Sequence, residues 1–309
     1  MATQAPAVPR RRKRTATGNS GRTAALFLTP FFAVFAVAMV APVFYSIWLG
    51  FFSERKSGLG FGDPVTTFVG LENYVQVLQS ESFVRGLLRL AMYCAMYIPA
   101  MVGGAVIFAL LLDASVAKAK KMFQLLVFLP HAVPGVIAAL IWAYLYTPGI
   151  SPLVQALESG SIQINFLDAH MVLPSVVNIA VWEWTGYNVI ILFTALQAVP
   201  REILEAARVD GASEVRLSLA IKFPLVLPAL SVIMLFTMIG TLQLFTEPMI
   251  LAKATSSITT TWVPNMWAYD AAFNKHNLNQ AAAASIIIAL LAAVLSFVVT
   301  RSSNKAGKS

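Results

Sequence analysis

The side chains best suited to hold a solute stand together in one short stretch, Trp182-Glu183-Trp184-Thr185-Gly186-Tyr187-Asn188. A carboxylate and a carboxamide can hydrogen-bond hydroxyls, while flat aromatic faces take the C–H edges of a sugar ring. Glu183 is the one carboxylate near the middle of a long apolar run, and an ionisable group inside a bilayer costs enough to be a functional candidate by default. On a helix, Glu183 aligns with Gly186 and Tyr187, and Trp184 with Tyr187 and Asn188. That gives one polar and aromatic stripe, with Gly186 leaving room for a ligand and Trp182 beside it. The competing reading has Trp182 and Trp184 packing on neighbouring spans and Glu183 pairing with a partner subunit. His131 sits mid-run in another segment, where an interior histidine is more often satisfied by its surroundings than used as a ligand. Gln243 and Glu247 stand at the outer end of a third run, where a gate or an external contact would fall.

Covalent chemistry finds no support. Ala306-Gly307-Lys308-Ser309 imitates the end of a phosphate-binding loop, but its first glycine would fall at Ser302 and neither strand nor helix flanks it. His131, His170 and His276 are far apart with no cysteine or histidine near them, so no metal-ligand spacing exists. No serine or cysteine hydrolase arrangement can be assembled. The single cysteine, Cys94, lies in an apolar run and reads as packing.

The elements that must position these residues are membrane spans. The 309 residues are 58% hydrophobic and 12% charged, against about a quarter charged in soluble domains; the mean hydropathy is +0.73. A net charge of +8 is compatible with nucleic-acid binding, but the basic residues cluster at the ends of apolar runs, which is a topology signal. Six runs carry the ~20 apolar residues a bilayer requires: about Thr23–Phe52, Phe83–Leu112, Met122–Tyr146, Met171–Val199, Phe223–Leu244 and Gln280–Thr300. The first is too long for a signal peptide and ends in bulky residues. Pro130 to Gly135 predicts a kink in the third. Placing both ends of the chain inside puts the basic residues of the N-terminal tail, of the Lys118–Lys121 loop, of 201–222 and of the C-terminal tail in the cytoplasm, leaving Arg55, Lys56, Arg85, Arg89, Lys253 and Lys275 outside. The organisation is then a disordered basic tail over 1–22, a six-helix all-α membrane domain over 23–300, and a basic tail over 301–309. Trp48, Trp142, Tyr146, Trp262 and Trp267 fall near the outer interface and read as an aromatic belt.

One polar stretch does not behave as a plain loop. From Pro200 to Pro228 the chain reads PREILEAARVDGASEVRLSLAIKFPLVLP. Pro200 suits a first helical turn, Asp210-Gly211 ends that helix, and Ser213 can cap a second. Ala206, Ala207, Gly211 and Ala212 leave a surface with little bulk, open to close approach by another backbone. An ordinary surface helix of high propensity has the same pattern.

Glu205-Ala206-Ala207, Asp210-Gly211-Ala212, Ile221 and Pro224 resemble the EAA signature of the permeases of binding-protein-dependent ATP-binding-cassette importers, with Phe223 where leucine is usual. The stretches VGLENY, Phe128-Leu129-Pro130, WEWTGYN and NMWAYDAAF look like the maltose-type and glycerol-phosphate-type carbohydrate branch, and like the first permease of a pair. The resemblance implies a non-catalytic, multi-pass subunit of the bacterial inner (plasma) membrane, surrounded by lipid, with both termini cytoplasmic. It implies a second homologous permease, two ATPase subunits that use ATP and magnesium, an extracytoplasmic solute-binding protein and a sugar, read as an oligosaccharide. No cofactor in this chain and no nucleic acid are implied. The residues of the signature would dock the ATPase. The same machine for a glycerol phosphodiester or polyol, and a stand-alone carrier or channel, are the alternatives.

Overall fold

The structure, a computed structural model, describes residues 20–56, 64–114 and 119–306. The readings made on the tail before residue 20, on Gly58, Gly60 and Gly62, on Lys118 and on the last three residues lie outside the described residues. In chain order the helices are α1 (Gly21–Gly50), α2 (Glu72–Gln79), α3 (Glu81–Asp113), α4 (Lys120–Ala132), α5 (Gly135–Tyr146), α6 (Pro152–Ser159), α7 (Val172–Gln197), α8 (Arg201–Val209), α9 (214–242), α10 (Thr246–Leu251), α11 (Pro264–Tyr269) and α12 (Leu278–Ala306). Five stretches are long and apolar enough to cross a bilayer, and the α4–α5 pair makes a sixth if its two arms are one span.

The third span departs most from the sequence reading. The expected kink is a full break, with α4 and α5 meeting at 93°. Leu129–Ala132 tighten into a 3-10 turn, and Pro134 precedes the first residue of α5. A proline has no N–H to continue the ladder and disfavours helical backbone before it, so two prolines four residues apart stop one helix and start another. At ~1.5 Å per residue the 12-residue α5 is about 18 Å long, short of the ~30 Å hydrocarbon layer.

The loop regions are also more ordered than a polar composition suggests. β1 (Phe52–Lys56) pairs antiparallel with β2 (Pro64–Phe68), Phe52 opposite Phe68. This hairpin is the exception to the all-α expectation among the described residues. Buried Asn73 of α2 donates to the carbonyls of Gly50 (2.9 Å) and Phe52 (2.7 Å), tying α2 to the start of β1.

The core is centred on α3 and α7. Leu90, Tyr93, Tyr97, Met101, Ala105, Ala109 and Leu112 are buried along α3 at helical spacing. Lipid is as apolar as leucine, so packing and close approach hold such helices, not water exclusion. Gly104 of α3 faces Thr185 of α7, where a Cβ would make ordinary contact with Thr185 Cγ2 at 3.6 Å. The residues before Leu49 form a separate packing unit, whose Leu26, Phe27, Phe31 and Phe44 are exposed as lipid-facing side chains would be.

The aromatic belt is corrected at three positions. Tyr146, Trp262 and Trp267 are buried in protein. The Trp267 indole N–H is shared by Ser80 and Ser82 hydroxyls at 3.2 and 3.0 Å, and the Tyr146 hydroxyl accepts from Asn178 at 2.8 Å.

Candidate functional site

The WEWTGYN stretch lies in the middle of α7, but its residues face three different neighbours. Trp184, Tyr187 and Asn188 line a cavity of about 290 Å³. Trp182 faces elsewhere, with its ring edge-on to Trp142 at 5.8 Å. Glu183 turns toward the α4–α5 break, where one carboxylate oxygen lies 3.3 Å from the place a Cβ on Gly135 would occupy. Glu183 is 7% exposed, and its Oε2 is buried with no hydrogen-bond partner among the described residues.

Gly186 does not leave room for a ligand. A Cβ there would stand 1.8 Å from the carbonyl oxygen of Val127 and 2.6 Å from its carbon. The missing side chain is instead the space in which the α4 backbone crosses α7. A glycine among polar and aromatic residues gave no sign of which neighbour would fill it.

His131 stands in the 3-10 turn that ends α4, just before the break to α5, not in the middle of a continuous span. Its ring meets Trp184 at 4.7 Å and Tyr187 at 4.8 Å between centroids. It therefore backs two aromatic rings of the cavity without lining it, and its Nδ1 is buried without a hydrogen-bond partner among the described residues.

Four elements enclose the cavity. α3 supplies Tyr93 and Tyr97, α7 supplies Ala180, Trp184, Tyr187 and Asn188, and α9 supplies Phe236, Thr237, Gly240 and Thr241. The stretch 243–247 closes it with Gln243, Leu244, Thr246 and Glu247. Tyr93 and Tyr97, four residues apart, stack at 5.3 Å with planes 14° apart. Trp184 and Tyr187 each keep 40% exposure, whereas buried Asn188 gives its amide N–H to the Trp184 carbonyl at 3.0 Å and to Met101 Sδ at 3.2 Å. Tyr93, Tyr97, Thr237 and Thr241 escaped the sequence reading because each looks like one more residue of an apolar span. The spacing Tyr93/Tyr97 and Thr237/Thr241 was the available signal: two i, i+4 polar-tipped pairs on one face.

Gln243 and Glu247 reach the cavity because the helix breaks between them. α9 ends at Leu242 and α10 begins at Thr246, with Phe245 at φ −155° and ψ −51°. A broken helix leaves carbonyls without partners. The Asn265 carboxamide supplies donors to two of them, Leu242 at 2.9 Å and Leu244 at 3.3 Å. Glu247 sits in the first turn of α10, where a carboxylate is favoured by the helix dipole.

The second cluster, 201–222, is a helix–turn–helix. α8 ends at Asp210, Gly211 takes φ +81°, and the Ser213 hydroxyl accepts from the Arg216 N–H at 3.3 Å to cap α9. Arg208 and Glu214 bridge the two arms at 3.2 Å on the surface. Glu205, Ala206, Asp210 and Gly211 are exposed, and Ala207 and Ala212 half-buried. Val209 is 87% exposed at the tip, beside a turn where nothing lies within 4 Å of a Cβ on Gly211. A π-helical segment, Leu217–Lys222, joins the second arm to the rest of α9, so Ile221 and Pro224 stand at the hairpin's base, Ile221 half-buried and Pro224 exposed.

A bundle of apolar helices with an interior polar cavity and an exposed polar hairpin is the architecture of a membrane transport subunit. The sequence pattern of the family described as "Binding-protein-dependent transport system inner membrane component" matches residues 67–305, and the chain belongs to that family. It is 28% identical over 281 residues to the probable ABC transporter permease protein YurN of Bacillus subtilis (strain 168), covering 88% of this chain and 92% of that one. It is 29% identical over 277 residues to the sn-glycerol-3-phosphate transport system permease protein UgpA of Yersinia pestis, covering 86% and 88%. In fold it matches a chain of a bacterial ABC transporter involved in the import of the acidic polysaccharide alginate, with a TM-score of 0.79, 22% identity and coverage of 92% and 96%. The protein is thus a multi-pass membrane permease component of a binding-protein-dependent ABC transporter, as the EAA-like residues led one to expect.

Proposed function

We propose that this chain forms one side of the passage for a neutral carbohydrate of oligosaccharide size in an ATP-driven importer. The observation that carries the solute class is the cavity lining. Trp184, Tyr187, Tyr93 and Tyr97 offer ring faces and hydroxyls, Asn188, Gln243, Thr237 and Thr241 offer neutral hydrogen-bonding groups, and Glu247 is the one charge. No lysine or arginine is among the described lining residues. An anionic solute calls for cationic donors, arginine above all. The lining therefore favours a polyol or sugar over a phosphodiester, although UgpA is by name a glycerol-3-phosphate permease.

In this reading Trp184, Tyr187, Asn188, Gln243 and Glu247 contact solute, Glu183 and His131 hold the break that backs them, and Trp182 packs on Trp142 of α5. Glu205, Ala206, Ala207, Asp210, Gly211, Ala212, Ile221 and Pro224 form the ATPase-docking hairpin on the cytoplasmic side, with both chain ends on that side. A second permease, two ATPase subunits and an extracytoplasmic binding protein complete the machine. ATP and magnesium are handled by the ATPases, and this chain carries no cofactor. A structure described as an alginate ABC transporter in complex with a pentasaccharide-bound periplasmic protein, matched at TM-score 0.79 and 20% identity, supports the binding-protein partner by analogy of fold.

The test is uptake by the complete complex in vesicles loaded with ATP, offered a panel of neutral oligosaccharides and, separately, glycerol phosphodiesters. ATP-dependent uptake of a neutral sugar, with a half-saturation concentration raised tenfold or more by Trp184→Ala, is expected. Uptake of the phosphodiesters alone would overturn the solute class, and uptake without any ATPase subunit would overturn the importer itself.

A further inference from the structure

We infer that Asp113 is a positioning residue that fastens both roots of the α8–α9 hairpin to the end of α3, so that the hairpin and α3 move as one body. The inference rests on the reading that the hairpin docks an ATPase, and concerns how a push on it reaches the cavity.

Asp113 is the last residue of α3. Its Oδ1 accepts from Gln197 Nε2 at 2.6 Å, and its Oδ2 accepts from Lys222 Nζ at 2.5 Å. Gln197 is the last residue of α7 and stands just before the hairpin; Lys222 is the last residue of the π segment and stands just after it. One carboxylate thus holds the chain where it leaves the bundle and where it returns. Lys120, first residue of α4, adds its Nζ to the Asp113 backbone carbonyl at 3.4 Å.

The ion pair is buried, with side chains 4% (Lys222) and 10% (Asp113) exposed. Charges withdrawn from water gain little net stability from pairing, but removing one partner strands the other. Such a pair therefore specifies an arrangement more than it strengthens one. Lys222 is delivered to Asp113 by a π segment, whose wider turn rotates the side chains that follow relative to an uninterrupted α-helix. A hairpin held at one root would pivot. Held at both roots on one side chain, it shifts α3 with it, as rigid-body switching requires. α3 then carries the shift to Tyr97, about 24 Å away at ~1.5 Å per residue, and α7 carries it from Gln197 to Asn188, about 14 Å away.

The test measures rigidity directly in the complete complex. With Cys94 replaced by serine, spin labels are placed at Val215 on the hairpin and at Ile107 on α3, both exposed. Their distance distribution is read without nucleotide and with ATP plus vanadate. In the otherwise native protein the distance should stay narrow and unchanged while the complex switches state. Asp113→Asn and Lys222→Met should at least double the width of the distribution and let it shift with nucleotide, and Lys222→Arg should keep it narrow. Because each of those two variants leaves a buried group without its partner, Gln197→Leu and the double variant Asp113→Leu/Lys222→Leu are measured beside them. Both should widen the distribution, the double variant more. A distance that shifts with nucleotide in the native protein, or one that stays narrow in the double variant, would overturn the anchor. Failure of the ATPase to bind the native complex would instead remove the docking reading.

Discussion

Gly186 in α7 and Gly211 in the hairpin are both glycines in the middle of a functional stretch, and they do opposite things. At Gly186 the backbone is ordinary helix, and the absent side chain is occupied by the Val127 carbonyl of a crossing helix. At Gly211 the surroundings are empty, and it is the backbone that is special, at φ +81°. The α7 stretch is specified by what neighbours press on it. The hairpin is specified by its own residues and leaves its small-residue surface open. In the proposed reading, the stretch that closes around a solute and the hairpin that awaits a protein partner differ in this way.

The largest expected effect separates the two glycines. Gly186→Ala forces α4 and α7 apart, at or above the top of the ~1–3 kcal/mol typical of overpacked interiors. The yield of folded protein from membranes should collapse. Gly211→Ala strains only a turn, by about 1–2 kcal/mol for a left-handed residue, and thermal stability in detergent should fall by a few degrees at most. Equal losses in the two variants would break the comparison.

A second pair of substitutions sharpens it at the level of function. Glu205→Lys reverses a charge on the open face. It should abolish co-purification of the ATPase and transport while insertion stays normal. Trp184→Ala should leave the ATPase bound and raise the half-saturation concentration for uptake tenfold or more, equivalent to about 1.4 kcal/mol. Loss of ATPase binding in the tryptophan variant would merge two sites that the geometry keeps apart.

Within α7 itself, adjacent residues should behave differently. Glu183 faces Gly135 at the break, and Trp184 faces the cavity. Glu183→Gln keeps the shape and should change uptake per assembled complex by less than twofold, and Gly135→Ala, which crowds the same carboxylate, should lower the yield. A tenfold rise in half-saturation for Glu183→Gln would return Glu183 to the solute contacts.

The smallest effect lies outside both regions, in the π segment Asp270–Asn274 after α11. Burial alone would raise the Asp270 carboxyl, but hydrogen bonds from Asn274 and Lys275, the Lys275 charge and a bond from Thr260 outweigh it and hold the group below the ordinary 3.8. A carboxyl depressed by folding stabilises fully above its unfolded pKa. That contribution fades as pH falls below about 4 through the lower folded value. Melting temperatures of the native protein and of Asp270→Asn should therefore converge between pH 5 and pH 3. A constant gap over that range would deny Asp270 the role.

The sequence was most informative where structure is local. Pro200, Asp210-Gly211 and Ser213 encode a helix, a left-handed turn and a cap within fourteen residues, and the hairpin follows them. The apolar runs mark spans because the bilayer sets their length. The cavity was half legible. Trp184, Tyr187, Asn188, Gln243 and Glu247 stood out as polar or aromatic groups in apolar surroundings, but which face each would take depends on α3, α4 and α9. A residue 48 positions away, Gly135 of α5, is what Glu183 turns to, and residues more than 80 positions before Trp184, Tyr93 and Tyr97 of α3, join the wall. A polarity count cannot see a tyrosine whose ring is ordinary span lining and whose hydroxyl is not.

The broken α4–α5 pair has a consequence for how this protein is made. Its arms meet at 93°, and the backbone around Pro130 and Pro134 lacks the regular ladder that lipid demands. What covers that break is α7, through the Gly186 crossing and the rings on His131, and α7 leaves the ribosome later than both arms. A nascent chain that ends before residue 172 has no shelter for the turn. Residues 120–146 are therefore expected to take up the bent form only once their cover is synthesised. Biogenesis is in that sense ordered by a bend, with the third hydrophobic segment reaching its final place only after the fourth has arrived.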